Sequence, residues 1–69
     1  MERKPVKSSN IAAIGYDESS ATLEIEFLNS SIYQYFDVPK HLYLELMGAD
    51  SQGKYLAQNI KGAYRYSKV

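Results

Sequence analysis

The segment 48–54, GADSQGK, has the glycine and lysine spacing of a phosphate-binding P-loop. In that motif backbone N–H groups surround the phosphates, the lysine contacts them, and a following Ser or Thr hydroxyl helps to bind Mg²⁺. Here the following residue is Tyr55, and 69 residues are too few for the rest of a nucleotide-binding fold. We therefore interpret the two glycines as the end of one helix and a point of close packing in the next.

A weaker form of phosphate chemistry remains at the same place. Ser51 can cap a helix, and the free N–H groups of a helix N-terminus attract anions. A lysine close to such a terminus adds a positive charge. The sequence therefore predicts an anion-binding site made by Ser51, Gly53 and Lys54.

The single histidine, His41, lies four residues from both Asp37 and Glu45, so a helix would stack the three side chains on one face. One imidazole and two carboxylates are the groups of a general base or of a weak metal site. Side chains at this spacing more commonly make ordinary contacts on a helix surface. We expect no catalytic residue, no metal site and no cofactor.

Seven tyrosines in 69 residues, with no Trp, are the most unusual feature of the composition. Tyrosine combines a stacking surface with a polar hydroxyl, so it suits both thin cores and binding surfaces. We expect partial burial of Tyr16, Tyr43 and at least one of Tyr33 and Tyr35. In the C-terminal segment aromatic and basic residues alternate, as they do on surfaces that bind single-stranded nucleic acid. The candidate nucleic-acid-binding residues are Lys61, Tyr64, Arg65, Tyr66 and Lys68.

The eight basic and eight acidic residues cancel, but they are segregated along the chain. Residues 11–50 hold seven of the acidic residues and one lysine, whereas residues 1–10 and 51–69 are net basic. The basic ends either attract the acidic middle or form a footprint for a polyanion. The footprint requires the fold to bring both ends together, so that Lys4 and Lys7 join the C-terminal cations at one edge.

The apolar pattern predicts three strands joined by short turns. Leu23, Ile25 and Phe27 alternate with polar residues, which is the period of a strand with one wet face. Shorter β-prone segments at 11–16 and 32–36 lie on either side of it, separated from it by turn-forming residues. Links this short favour pairing of neighbouring strands into an antiparallel meander.

Two short helices follow in the predicted order. Pro39 suits the first turn of the first helix, with Asp37 or Val38 as its cap, and Gly48 ends that helix. Ser51 can cap the second helix, and Gly62 closes it. The spacing of apolar residues predicts a core of Leu23, Ile25, Phe27, Val38, Leu42, Leu46, Leu56 and Ile60.

The predicted fold is therefore α+β: a three-stranded antiparallel β-meander followed by two short α-helices packed on one face. Residues 1–9 are polar and contain Pro5, which predicts a flexible N-terminal arm before a single domain over residues 10–69. The weak alternation in residues 64–69 is consistent with either a C-terminal edge strand or an ordered tail.

Several short motifs of this chain occur in the same order in a known family. They are SSNI (8–11), IGYD (14–17), LEIEF (23–27), YQY (33–35), VP (38–39), A with SQGK (49, 51–54) and IKG with Tyr64 (60–62, 64). From about Ser8 to Tyr66 the chain resembles the KTSC domain, found at the C-terminus of some lysyl-tRNA synthetases and as small free-standing proteins. The resemblance implies no established catalytic activity and no agreed set of functional residues.

The chain departs from that family pattern at two places. Asn29-Ser30 stands where the second turn of the family usually carries Asn-Gly. Leu56-Ala57 stands where the family tends to place Phe-Asn. If that asparagine has a function in the family, this chain lacks it.

These features predict a small non-catalytic interaction module that acts through a protein partner or by self-association. The alternative is an RNA- or single-stranded nucleic-acid-binding module that uses the basic, tyrosine-bearing C-terminal segment. No apolar run approaches the roughly 18 residues of a membrane span, and no apolar segment follows the basic N-terminal residues. We therefore expect a cytoplasmic protein that does not associate with membranes.

Overall fold

Five antiparallel strands pair in sequence order in the computed structural model, which describes residues 1–69. Two helices lie between the fourth and fifth strands. The elements are β1 (Arg3–Pro5), β2 (Ile11–Asp17), β3 (Thr22–Phe27), β4 (Ile32–Tyr35), α1 (Lys40–Met47), α2 (Gln52–Asn59) and β5 (Tyr66–Lys68). The α+β class, the antiparallel pairing and the two helices are as predicted, but the sheet has five strands and not three. No helix is long and apolar enough to cross a membrane.

The N-terminal segment, for which the polar composition predicts a flexible arm, contains a short strand. Its residues Arg3–Pro5 form the edge strand β1, in which Lys4 pairs with Ile14 of β2. A strand of three residues has too few positions to show a period of two, so the pattern gives no signal for it. At the other end of the chain, β5 pairs with β4 and settles the C-terminal alternatives in favour of an edge strand.

A β-bulge in β2 explains why the predicted core is incomplete. The register with β3 shifts between Ile11 and Ala13, so Ala12 is an extra residue. The shift lets both Ile11 and Ile14 reach the core, although they are three residues apart and strict alternation would separate them. Both side chains are fully buried.

The core lies between one face of the sheet and the two helices. Six of the eight predicted residues are fully buried, while Phe27 and Leu42 are partly buried and pack against the cluster. The cluster consists of Ile11, Ile14, Leu23, Ile25, Tyr35, Val38, Leu46, Leu56 and Ile60. Tyr16 and Tyr43 are half-buried as predicted, and their rings stack with centroids 4.9 Å apart.

The two helices begin in different ways. Pro39 itself is the residue that precedes α1, with extended backbone and no side-chain cap, so neither Asp37 nor Val38 caps it as predicted. Val38 is instead a fully buried core residue. Ser51 caps α2 as predicted, because its Oγ accepts a hydrogen bond from the Lys54 N–H at 3.4 Å.

Ser30, in the turn between β3 and β4, has a left-handed backbone conformation. The Ser30 N–H donates to the Phe27 carbonyl, the Phe27 N–H donates to the Ser31 carbonyl, and Ser30 has φ 73°. This is the three-residue hairpin loop whose last position favours glycine. Glycine would adopt this conformation without strain, whereas here serine adopts it.

Candidate functional site

A groove lies on the helix-bearing side of the sheet, between the β3–β4 turn and the segment that follows α2. Its volume is about 550 Å³, within the range of small-molecule and cofactor sites. We call it the aromatic groove. It is lined by Phe27, Asn29, Ser31, Tyr33, Tyr35, Lys61, Gly62 and Tyr66.

Strand register brings the rings of the groove together. Tyr33 and Tyr35 are two residues apart on β4 and therefore share a face, and Tyr66 on β5 pairs directly with Tyr35. The Tyr66 ring centroid lies 5.9 Å from the centroids of both Tyr33 and Tyr35. Phe27 meets Tyr33 edge to face, with centroids 5.7 Å apart. These centroid distances lie within the range of favourable aromatic pairs.

The three tyrosines differ in their exposure to solvent. Tyr35 is only 3% exposed and belongs to the core, Tyr33 is half-buried, and Tyr66 is 61% exposed. Burial, followed by the neighbouring Tyr33 and Tyr66, raises the pKa of Tyr35, so its hydroxyl stays protonated at neutral pH. The groove thus has a fixed aromatic floor and one exposed ring at its edge.

Two lysines lie over rings of the groove. Lys61 Nζ is 5.5 Å from the Phe27 ring centroid, and Lys68 Nζ is 6.0 Å from that of Tyr33. Both distances suit cation–π contacts. Neither lysine forms a salt bridge, and no acidic residue lines the groove. The groove is therefore aromatic and positively charged.

The sequence over residues 7–66 matches the family model of the KTSC domain. This chain belongs to the KTSC domain family. The resemblance of its short motifs to that family is thus confirmed over nearly the whole chain.

Similar proteins contain this KTSC domain either alone or within a longer chain. An uncharacterized protein from Stutzerimonas stutzeri is 36% identical over 70 residues, covering all of this chain and 99% of the relative. A lysine–tRNA ligase from Nostoc sp. is 40% identical over 63 residues, covering 91% of this chain but 11% of the ligase. The crystal structure of a KTSC domain protein from Yersinia pestis superposes with a TM-score of 0.96 at 40% identity, covering 99% of this chain and 96% of that one.

Only three of the five predicted nucleic-acid-binding residues lie at the aromatic groove of this KTSC domain: Lys61, Tyr66 and Lys68. Tyr64 packs against the core instead. The Arg65 guanidinium lies 5.7 Å over the Phe36 ring, and its Nη2 donates to Asp37 Oδ2 at 2.9 Å. Together Tyr64 and Arg65 line a second, shallower groove that shares Tyr66 with the first.

The single basic edge, one of the two alternatives that the charge pattern left open, is not formed along the sheet. The strand order places β1 at one edge of the sheet and β5 at the other, so three strands separate the strand of Lys4 from that of Lys68. Arg3 is also engaged, because it pairs with Glu24 and Glu26 on the opposite face from the core. Lys4 therefore does not share a sheet edge with Lys68, and a polyanion footprint at the groove would not include the cations of β1.

The predicted anion site at Ser51, Gly53 and Lys54 gains no support from the structure. The Ser51 side chain accepts the Lys54 N–H, so that amide is not free for an anion. The open side of Gly53 faces Asn10, whose Oδ1 would lie 2.5 Å from a Cβ built on the glycine. Close packing explains Gly53, and the anion site stays a prediction from the sequence alone.

The predicted cluster of Asp37, His41 and Glu45 does not form. Asp37 accepts from Arg65, and Glu45 accepts a 2.6 Å hydrogen bond from the Tyr55 hydroxyl of α2. That bond raises the pKa of Tyr55 to about 12. No group of three His, Asp or Glu side chains is placed to hold a metal ion. The two carboxylates thus hold neighbouring elements together.

Glu24 is the other notable carboxylate, on the side of the sheet away from the helices. It is 7% exposed, accepts from Gln34 Nε2 at 2.8 Å and forms an ion pair with Arg3. Burial acts to raise its pKa, but the hydrogen bonds from Gln34 and Arg3 outweigh burial and hold the pKa below its ordinary value. Glu24 therefore stays charged and ties β1, β3 and β4 together.

Sequence reasoning missed the contribution of the β3–β4 hairpin to the groove. The sequence predicted Phe27 as a core residue. It predicted partial burial for at least one of Tyr33 and Tyr35. The usable signal was the spacing of two around Gln34, which places both tyrosine rings on one face of their strand. What the sequence could not provide was the pairing of β5 with β4, which adds Tyr66 to them.

Proposed function

We propose that this KTSC domain is a non-catalytic interaction module whose contact surface is the aromatic groove. The observation that carries the proposal is the placement of Tyr66. Two neighbouring rings hold it at 5.9 Å, yet 61% of it remains exposed. An aromatic ring fixed by its neighbours but open to solvent gives contact area at low cost in side-chain entropy, as at binding hot spots.

The arrangement of the titratable groups supports a binding role over a catalytic one. The His41 side chain makes no hydrogen bond, while Asp37, Glu45 and Glu24 are each engaged by a structural partner. A hydrolase or transferase site needs a nucleophile within reach of a base, or a bound metal. In this chain the contact of the Tyr55 hydroxyl with Glu45 joins two helices, whereas the groove offers shape, aromatic surface and charge.

The relatives support a module that works in more than one setting. The lysine–tRNA ligase of Nostoc sp. contains a matching segment as a small part of a long chain, and the Stutzerimonas protein matches over its whole length. A domain used both alone and as an appendage is expected to bring its own contact surface. A protein partner, a second copy of this chain and a nucleic acid are the occupants to be compared, and a cytoplasmic location is part of the proposal.

The test compares two variants that remove exposed apolar groups of similar extent. Tyr66→Ala changes the groove, whereas Leu44→Ala changes α1, where Leu44 is 56% exposed. Each variant is assayed for self-association by sedimentation velocity and for binding to short oligonucleotides and acidic peptides. We expect Tyr66→Ala to reduce any association that the parent chain shows and Leu44→Ala to leave it unchanged. The reverse ranking would place the contact surface elsewhere.

A further inference from the structure

We infer that the occupant of the aromatic groove is a single-stranded nucleic acid, with a base stacked on Tyr66 and phosphates contacted by Lys61 and Lys68. The inference rests on the proposed function and adds the chemical class of the partner. It differs from a footprint shared by both chain ends, because it uses only residues that the structure places around one groove.

The stacking surface is the free face of Tyr66. The rings of Phe27 and Tyr33 each have a lysine over them, at 5.5 and 6.0 Å, whereas no cation lies over Tyr66. Contacts with Tyr33 and Tyr35 fix the Tyr66 ring before a ligand arrives. Single-strand-binding surfaces use such rings, because every base has a π face that can stack on them.

The charge of the groove selects an anionic ligand. Lys61 and Lys68 are free of salt bridges, and no carboxylate lines the groove to compete for them. The Asp37 carboxylate is paired with Arg65, so its negative charge is balanced. Two lysines beside a stacking ring match the alternation of phosphates and bases along a single strand.

The rim of the groove also carries polar groups that can contact base edges. Asn29 Oδ1 accepts from the Ser31 N–H at 3.0 Å, which leaves the Asn29 amide group free to donate. Ser31 lines the same groove. Exposed donors and acceptors beside an aromatic ring are what proteins use to read unstacked bases.

The size of the groove favours a single strand over a duplex. A volume of about 550 Å³ suits one or two bases, and a paired duplex hides the base faces that Tyr66 would contact. An acidic peptide would satisfy the lysines but would leave the Tyr66 face unused. The nucleic-acid interpretation accounts for the ring and the charges together.

Fluorescence anisotropy with labelled oligouridine and oligoadenosine, and with a duplex of matched length, tests the inference. Two phosphate contacts to a single strand give a log–log salt slope of about −1.4, so affinity should fall about sevenfold between about 50 and 200 mM salt. We expect Tyr66→Ala to weaken single-strand binding by roughly 5- to 150-fold and Tyr66→Phe to retain it.

Variants that remove one lysine charge test the phosphate contacts. Lys61→Gln and Lys68→Gln should each make the salt slope shallower by about 0.7, whereas Lys7→Gln, near the opposite edge of the sheet, should leave it unchanged. Absence of binding by the folded chain, equal affinity for the duplex, or full binding by Tyr66→Ala would overturn the inference. If Tyr66→Ala instead abolishes self-association or binding to an acidic peptide, the groove remains the contact surface and only the nucleic-acid assignment fails.

Discussion

Tyr66 lies directly across from Tyr35 in the β4–β5 ladder, and their ring centroids are 5.9 Å apart, yet their environments are opposite. Tyr35 is 3% exposed and packs in the core, whereas Tyr66 is 61% exposed. One cross-strand pair thus joins the hydrophobic core to the surface groove. The core holds Tyr35 in place, and Tyr35 in turn positions Tyr66 for contact with a ligand.

This relationship predicts different costs for truncating the two rings. Tyr35→Ala should destabilise the fold by about 3–5 kcal/mol, because it leaves a cavity in the core. Tyr66→Ala should cost about 1 kcal/mol or less, because it removes an exposed ring and its edge contacts. Urea unfolding followed by circular dichroism measures both. Equal losses of stability would mean that Tyr66 is a structural residue and not a free contact surface.

Ser30 provides a test of the β3–β4 turn. With φ 73°, Ser30 adopts a conformation that costs an L-residue roughly 1 kcal/mol more than glycine. Ser30→Gly should therefore raise the free energy of unfolding by about 1 kcal/mol. Ser31→Gly is the matched control, because Ser31 does not have positive φ, and it should give no gain. A loss of stability in Ser30→Gly would contradict this description of the turn.

The buried ion pair predicts a specific pH dependence. The pKa of Glu24 in the folded chain lies below its ordinary value of 4.5, so its carboxylate stabilises the fold above that pH. The stabilisation is lost as the pH falls through the lowered pKa. The difference in unfolding free energy between the parent chain and Glu24→Gln should be largest near neutral pH and should shrink in acid. A constant difference across that range would show that the charge of Glu24 is not involved.

The two arginine pairs predict different mutational costs. Arg3 is bound to the nearly buried Glu24, whereas Arg65 and Asp37 are 78% and 76% exposed. Arg3→Ala should destabilise by about 1–3 kcal/mol, since it removes a charged partner from a buried carboxylate. Arg65→Ala should cost about 1 kcal/mol or less, because solvent screens an exposed pair. Thermal and urea unfolding of the two variants measure these costs. A larger loss of stability in Arg65→Ala than in Arg3→Ala would contradict the prediction.

Gly15 tests whether β1 is an integral strand. A Cβ at Gly15 would lie 2.8 Å from the Glu2 carbonyl oxygen, so Gly15→Ala should displace β1 from the sheet. Hydrogen exchange should then speed up for the amides of β1 while those of β3 stay protected. A matched Gly48→Ala change meets only ordinary contacts, at 3.7 Å or more, and should leave β1 protected. Unchanged protection of β1 in Gly15→Ala would show that the backbone absorbs the extra methyl group.

The sequence predicts the local elements better than it predicts the edges of the sheet. Alternation identifies β3, proline and glycine mark α1, and Ser51 marks the start of α2, because each of these signals is local. The three-residue strands β1 and β5 are stabilised by pairing with β2 and β4, which the pattern within each strand does not reveal. For the same reason the sequence left open whether Lys4 and Lys68 share one edge, and the strand order separates them.

For the candidate site too, the sequence gives local patterns but not the contacts between distant segments. Of the residues that the Tyr and basic alternation grouped, Tyr66 and Lys68 lie at one groove with Lys61. Arg65 lies apart from them, because its guanidinium contacts Asp37 and Phe36. Side-chain pairing across the fold decides such assignments, and spacing along the chain does not contain that information.

The most direct measurement of the central claim is mapping of amide and tyrosine-ring NMR shifts during titration with a short oligouridine. The claim is that the aromatic groove of this domain binds a single-stranded nucleic acid. It predicts the largest shifts at Tyr33, Tyr66 and Lys68, with little change around Glu24 on the other side of the sheet and around His41 on α1. Shifts centred on Glu24 or His41, or no shifts at all in the folded chain at low salt, would contradict it.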